Sequence, residues 1–275
     1  MKKQLKNYIL EIGLYINLWG LTKLPRTIFW YVCGCFYTLI TTPLLVIVKI
    51  LGAVKMFHAH DRLATSFTSK AARVLIHLSG SKVIITGAEN IPQEGPVVFV
   101  SNHQGHMDSA VLLGFIKKPK GFVSIVEAKR FPIIYSWMKS IKCVFMDRSN
   151  IKQSVECINK AVEIVKQGHS MVIFPEGKLS DSDEMAEFKK GSMKLAVKAG
   201  VPIIPVTISG TYKMMNKSGR NIRPCTIMCI IDKSIQTANL SKDEEQELAQ
   251  KVRSIIENNL NILLRNEKYE NCNIH

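Results

Sequence analysis

Val97-Val98-Phe99-Val100-Ser101-Asn102-His103-Gln104-Gly105-His106-Met107-Asp108 is the stretch on which the reading of this chain turns. A run of β-branched and aromatic residues predicts a buried strand over 97–101. A glycine-containing turn follows, and Asp108 opens a helical stretch over 108–115. The same strand–turn–helix alternation extends in both directions. Further strands are expected over 83–86, 121–126, 144–146, 171–174, 203–208 and 226–231, and helices over 134–141, 151–167 and 188–199. Strands alternating with helices predict an α/β fold with a mostly parallel sheet flanked by helices. In such sheets the ligand site lies beyond the carboxyl ends of the strands, where residues 102–108 fall. Ser241 and Glu244 form a capping-box pattern that opens a closing helix over 241–265.

Upstream of the sheet the character changes. Residues 27–48 carry no charge over 22 positions and begin with the aromatics Phe29, Trp30 and Tyr31. That length is compatible with a membrane span, an interfacial helix or a buried core helix, and Pro43 is expected to kink it. Lysines and arginines flank the run on both sides, so its ends give no orientation. Residues 61–79 read as an amphipathic helix, with Leu63, Phe67, Ala71, Val74, Leu75 and Leu78 on one stripe. Three regions result: a helical membrane-anchoring segment over 1–80, an α/β domain over 81–240, and a C-terminal helix and tail over 241–275. Removal of residues 1–55 is expected to leave a folded α/β domain.

Of the 275 residues, 47% are hydrophobic and 21% charged, and the net charge is +15. The apolar content excludes a disordered chain, while the spread of charge excludes a polytopic membrane protein. The positive balance points to an anionic partner: nucleic acid, anionic lipid or a phosphorylated substrate. Basic and apolar residues concentrate together before residue 80, which favours a membrane surface. No zinc-finger spacing or aromatic RNA-binding cluster supports nucleic acid. The seven cysteines include no C-x-x-C pair, which argues against a disulfide framework or zinc site and for a reducing cytoplasm.

Four segments carry the chemistry. In the first, His103 and Asp108 are separated by a tight turn that can return the carboxylate to the imidazole. A carboxylate on one ring nitrogen frees the other as a base, suited to activating a substrate hydroxyl. His106 makes the pattern H-x-x-H-x-D, so a metal site over His103, His106 and Asp108 stands as an alternative, without further clustered ligands. The second is Phe174-Pro175-Glu176-Gly177-Lys178-Leu179-Ser180, where Lys178 and Ser180 are suited to a phosphate or an oxyanion. The third is Met146-Asp147-Arg148, whose arginine can grip a phosphate through two hydrogen bonds. The fourth, Val201-Pro202-Ile203-Ile204-Pro205-Val206, is a strand placed near the site.

In this order the four segments resemble the glycerolipid acyltransferase family, whose pattern is N-H-x(4)-D, a strand ending in D-R, F-P-E-G and V-P-I-x-P-V. The resemblance covers residues 85–235 and is closest to the 1-acyl-sn-glycerol-3-phosphate acyltransferase subfamily. Ala128-Lys129 and Phe188-Lys189-Lys190-Gly191 resemble two further segments of the pattern. The chain departs from it at Lys178-Leu179, where the pattern has Thr-Arg.

The resemblance implies transfer of a fatty acyl group from acyl-CoA or acyl-ACP to the sn-2 hydroxyl of 1-acyl-sn-glycerol-3-phosphate, giving phosphatidic acid. Lyso-ornithine lipids and other lysophospholipids are alternative acceptors. His103 is then the general base and Asp108 its orienting partner. Arg148, Glu176 and Gly177 bind the acceptor's glycerol-phosphate end, with Lys129, Lys178 and Ser180 as further phosphate or oxyanion contacts. No metal and no resident cofactor is implied, since the donor's carrier is a substrate. The enzyme would be membrane-associated, its catalytic domain facing the cytoplasm. A metal-dependent hydrolase and a non-catalytic membrane-binding module remain as competing readings.

Overall fold

The computed structural model describes residues 23–215 and 221–272. Among these described residues seven strands form one sheet in the order β1-β7-β6-β2-β5-β3-β4. They are β1 (Lys82–Thr86), β2 (Val98–Ser101), β3 (Lys120–Ile125), β4 (Val144–Met146), β5 (Ser170–Ile173), β6 (Ile203–Ser209) and β7 (Thr226–Ile231). All neighbouring pairs are parallel except β6 with β7. The expected α/β architecture with a mostly parallel sheet is therefore the one observed. The central strands β2, β5 and β6 are buried at every position, because helices cover both faces.

The helices are α1 (Lys23–Ile40), α2 (Thr42–Ala53), α3 (Phe57–Leu78), α4 (Asp108–Phe115), α5 (Pro132–Ser140), α6 (Ile151–Lys166), α7 (Lys194–Ala199), α8 (Thr211–Met214) and α9 (Lys242–Cys272). Alternate residues of β2, with Val97 just before it, face two cores. Val97 and Phe99 join Trp30, Ile76, Leu112 and Trp137 on the side of α1–α5. Val98 and Val100 join Val165, Leu195, Val252 and Ile256 on the side of α6, α7 and α9. The described part of the N-terminal region and the C-terminal helix are thus packed into the same cores as the sheet.

The uncharged run becomes two helices, bent by 41° between residues 40 and 42. Pro43 has no N–H to offer the preceding turn, and Thr41 turns its hydroxyl back to the Thr38 carbonyl at 2.9 Å. Among the described residues no single helix is long and apolar enough to cross a membrane; the bent pair passes that test only when taken together. Trp30 is buried and donates its indole N–H to the Leu75 carbonyl at 2.8 Å, which fastens α1 to α3.

Two helices differ from expectation. Residues 188–193 are not α-helical: Lys189 is extended and donates its N–H to the Pro175 carbonyl at 3.1 Å, and only a short 3-10 turn, Lys190–Ser192, precedes α7. That bond to the Pro-Glu-Gly turn replaces the first turn of helix. On α3 the deepest residues are Ala64, Thr68, Ala72 and Ile76, one position round from the large apolar stripe. Small residues are needed there because α3 crosses α4 closely: a Cβ on Gly114 would lie 3.1 Å from the Arg73 backbone nitrogen. The capping box at α9 is formed, with Ser241 N donating to Glu244 at 2.8 Å and Glu244 N to Ser241 Oγ at 3.2 Å.

Candidate active site

The turn after β2 is held by its own side chains. Asn102 pairs its amide with the N–H and C=O of Ile208, both at 2.8 Å. Gln104 accepts the Gly210 N–H at 2.9 Å. These three bonds fasten the turn to the end of β6, so His103, between Asn102 and Gln104, projects the other way. Gly105 is required where the backbone of α8 comes near: a Cβ there would sit 3.0 Å from Thr211 C and Tyr212 N.

His103 and Asp108 meet as the spacing predicted. Nδ1 of His103 lies 2.7 Å from Oδ2 of Asp108, which is fully buried. The same oxygen accepts the Gly105 N–H at 2.9 Å, and the other accepts the hydroxyl of Thr211. These contacts on both oxygens fix the Asp108 side chain with Oδ2 facing the ring. Nδ1–H donation then leaves Nε2 with its lone pair available as a base. The imidazole stacks on Phe174, ring centres 4.1 Å apart and planes inclined by 16°, which sets its rotation.

His103 opens into a cavity of about 1060 Å³. One part of its wall is apolar and comes from the N-terminal helices and α5, including Tyr37, Phe67, Leu75, Trp137 and Ile141. Another part carries Arg148, Lys178 and Lys189. Arg148 stands on a turn built by its neighbour: Asp147 accepts the N–H of Ser149 at 2.9 Å and its hydroxyl at 2.6 Å, which holds the Asp147 carboxyl below its usual range. The Asp-Arg pair is thus a turn that presents a guanidinium.

The remaining expected residues divide. Gly177 and Lys178 line the cavity, and Gly177 has φ +69, a conformation that favours glycine. A Cβ on Gly177 would lie 2.9 Å from Lys189 Nζ, so the bare backbone admits that ammonium group to the turn. Glu176 is 4% exposed and is not among the cavity-lining residues. Its Oε1 accepts the His103 N–H at 2.7 Å and its Oε2 the Ala186 N–H at 2.9 Å. Burial pushes its carboxyl upward, opposed by these two N–H groups. Glu176, expected to contact the acceptor, has both oxygens engaged by backbone N–H groups in this structure, where it positions the turn. Ser180 donates its hydroxyl to the Ser182 carbonyl at 3.1 Å, and Lys129 is exposed on a 3-10 turn; neither lines the cavity. Among the described residues no group of three or more His, Cys, Asp or Glu side chains converges as metal ligands would.

Two contributors were not placed by the sequence. Thr211 reaches Asp108 from 103 positions away, a pairing that only the sheet order creates. Lys189 lies in the F-K-x-G segment, whose resemblance to the family pattern marked it without giving it a place.

A family model described as Acyltransferase matches residues 82–209. The chain is 30% identical over 190 residues to a probable 1-acyl-sn-glycerol-3-phosphate acyltransferase of Mycoplasma pneumoniae, a match covering 65% of this chain and 71% of that one. It is 32% identical over 193 residues to the corresponding protein of Mycoplasma genitalium, covering 66% and 71%. This chain belongs to the acyltransferase family. Among solved structures, the crystal structure of the 1-acyl-sn-glycerophosphate (LPA) acyltransferase PlsC from Thermotoga maritima superposes with a TM-score of 0.77 at 26% identity, covering 88% of this chain and 95% of that one. The acyltransferase match begins at β1 and ends with β6, so it takes in the dyad, the Asp-Arg turn and the Pro-Glu-Gly turn together.

Proposed function

We propose that this acyltransferase moves a fatty acyl group from a thioester donor to the sn-2 hydroxyl of 1-acyl-sn-glycerol-3-phosphate, giving phosphatidic acid. The observation that carries the reading is the His103–Asp108 dyad opening into a cavity with both an apolar wall and a cluster of cations. Nε2 of His103 takes the proton of the acceptor hydroxyl as its oxygen attacks the thioester carbonyl. The new C–O bond forms and the C–S bond breaks. The departing thiolate takes the proton back from His103, so no acyl-enzyme is formed. Asp108 balances the imidazolium while it exists, as a carboxylate beside a catalytic histidine does. Arg148, Lys178 and Lys189 hold the acceptor's phosphate, which the reaction leaves unchanged, and so place the hydroxyl against Nε2.

The apolar side chains Phe29, Val32, Phe36 and Leu39 of α1, and Val46, Ile47 and Ile50 of α2, are exposed. They form the surface by which the enzyme sits in the membrane interface and receives a lipid acceptor, with the catalytic domain on the cytoplasmic side. The test is turnover of lysophosphatidic acid with palmitoyl-CoA and palmitoyl-ACP, phosphatidic acid being measured by mass spectrometry. Formation of phosphatidic acid by the parent and its loss in His103→Ala supports the assignment. Acylation of another lysolipid but not of lysophosphatidic acid would overturn the choice of acceptor.

A further inference from the structure

Among the described residues, the cavity beside His103 is lined by the cations Arg148, Lys178, Lys189, Lys194 and Lys198, and by no carboxylate. A lysophosphatidate acceptor brings one phosphate, with a charge of about −1.5 to −2 at neutral pH. Three of the cations stand on or against turns at the carboxyl ends of strands. Lys178 follows Gly177, Lys189 Nζ reaches the Gly177 backbone, and Arg148 stands on the turn after β4. The other two do not. Lys194 and Lys198 are one helical turn apart on α7, both exposed. Lys198 donates to Asn159 of α6 at 3.0 Å, and these two residues also line a second cavity of about 420 Å³. That cavity adds Lys160 and Lys166, with one carboxylate, Glu163, lying 3.7 Å from Lys166. Positive charge therefore continues from the cavity beside His103 into a second one at the seam of α6 and α7, beyond what the acceptor needs.

A thioester donor has its reacting carbonyl at one end of a long pantetheine arm and a phosphate at the other. With the carbonyl at His103, that phosphate must lie well outside the acceptor's subsite. We propose that Lys194 and Lys198, extended by Lys160, bind the phosphate end of a phosphopantetheine thioester donor. The proposal rests on the acyl-transfer reading above. Ile151, Val155 and Ile158 of α6 line the same cavity and supply an apolar wall for the arm. Val155 is 53% exposed, so this wall is open to an incoming ligand. Lysines suit the role because each acts as a point charge that accepts a phosphate from many directions.

The test uses the full-length protein in detergent micelles with Lys194→Glu/Lys198→Glu, and Lys82→Glu as a remote charge-matched comparison. KM for palmitoyl-CoA and for palmitoyl-ACP is measured at saturating lysophosphatidic acid, and KM for lysophosphatidic acid at saturating donor. The expected result is a rise of tenfold or more in KM for the donor used by the parent, with KM for lysophosphatidic acid within twofold. Lys82→Glu should leave both within twofold. Competition by 3′-phosphoadenosine 5′-diphosphate against the donor, lost in the double variant, assigns the phosphates to coenzyme A. A rise confined to palmitoyl-ACP, without inhibition by that nucleotide, assigns them to a carrier protein. Donor KM unchanged in the double variant, or a rise in KM for lysophosphatidic acid instead, would overturn the donor track while leaving the transfer reading intact. A parent that acylates no lysolipid with either donor would overturn both.

Discussion

Glu176 holds His103 by the backbone: its Oε1 accepts the His103 N–H at 2.7 Å, while its Oε2 accepts the Ala186 N–H at 2.9 Å. Asp108 holds the same residue by its ring. The base is thus fixed at two points, by carboxylates from the ends of β5 and of its own turn. In Glu176→Gln one oxygen remains an acceptor, but the new NH2 group faces a backbone N–H. A buried donor left without a partner costs about 1–3 kcal/mol. If that cost falls on the geometry of the turn, kcat drops roughly ten- to hundredfold, with KM for lysophosphatidic acid little changed. A sharp rise in KM at preserved kcat would return Glu176 to the substrate-binding set.

His103→Ala should remove nearly all activity, since a positioned general base contributes about 10²–10⁴ in rate. Asp108→Asn should also be severe. Its amide would offer a donor to Nδ1, favouring the tautomer that carries the proton on Nε2, where the base is needed. Steady-state kinetics on folded variants checks both. More than a tenth of parental kcat in His103→Ala would remove it as the base.

The strands were legible because each is a short apolar run bounded by turn residues, and β2, β5 and β6 have no solvent-facing side to obscure the pattern. The dyad was legible because its five-residue separation is local. The roles of Glu176 and Ser180 were not, since a carboxylate or hydroxyl in a turn reads alike whether it meets a ligand or backbone; only the fold reveals the partners His103, Ala186 and Ser182. Thr211 had no signal at all, because β6 must first lie beside β2 before its hydroxyl reaches Asp108. Residues 188–193 were misread as helix because their tie to Pro175 is likewise a long-range bond.

Lys120 should give the fold a pH-dependent stability. Its ammonium group is buried beside the Phe99 ring and donates to the Ile116 carbonyl at 2.7 Å, at the end of α4. Burial, aided by nearby Arg73 and opposed by Cys229, pushes it down to about 7. The native chain then releases this proton near pH 7, while the unfolded chain holds it to about 10.4. Between those values the unfolded state binds more protons, so stability rises with pH by an amount of order 4 kcal/mol. Thermal unfolding of the parent and Lys120→Met, compared from pH 6 to 10, isolates this group. The parent should gain on the variant as pH rises above 7; a difference independent of pH would refute the assignment.

Deletion of residues 1–55 should unfold the protein or leave it loosely packed, contrary to the expectation of a separable anchor. The deletion removes Trp30, Leu45 and Val48 from the core. It also takes Thr27, whose hydroxyl accepts the Ile222 N–H at 3.0 Å. Loss of a buried Trp alone costs about 3–5 kcal/mol, against a total stability of about 5–15 kcal/mol. Near-ultraviolet circular dichroism and thermal melting check this. A truncated chain that melts cooperatively at the parental temperature would restore the independent anchor.

Arg148 should carry the largest share of phosphate recognition. Asp147 shapes the turn beneath it: Gln153 accepts the Asp147 N–H at 2.6 Å, and the Asp147 carbonyl accepts the Ser154 hydroxyl at 2.8 Å. A guanidinium on so fixed a base can meet a phosphate through two parallel hydrogen bonds, whereas an ammonium group acts only as a point charge. Leu179 stands where the family pattern has arginine, so Arg148 is the one guanidinium among the described residues lining the cavity, beside lysines alone. The phosphate is unchanged in the reaction, so gripping it is mostly uniform binding. Arg148→Lys should therefore raise KM for lysophosphatidic acid tenfold or more, roughly the value of one charge-assisted hydrogen bond, and lower kcat less. Preference for lysophosphatidic acid over uncharged monoacylglycerol should shrink by the same factor. Lys189→Met should add to the effect, because its ammonium group approaches the same turn through Gly177. Equal KM values for the parent and Arg148→Lys would place the phosphate elsewhere, and a head-grouped lysolipid would then fit the cavity better than lysophosphatidic acid.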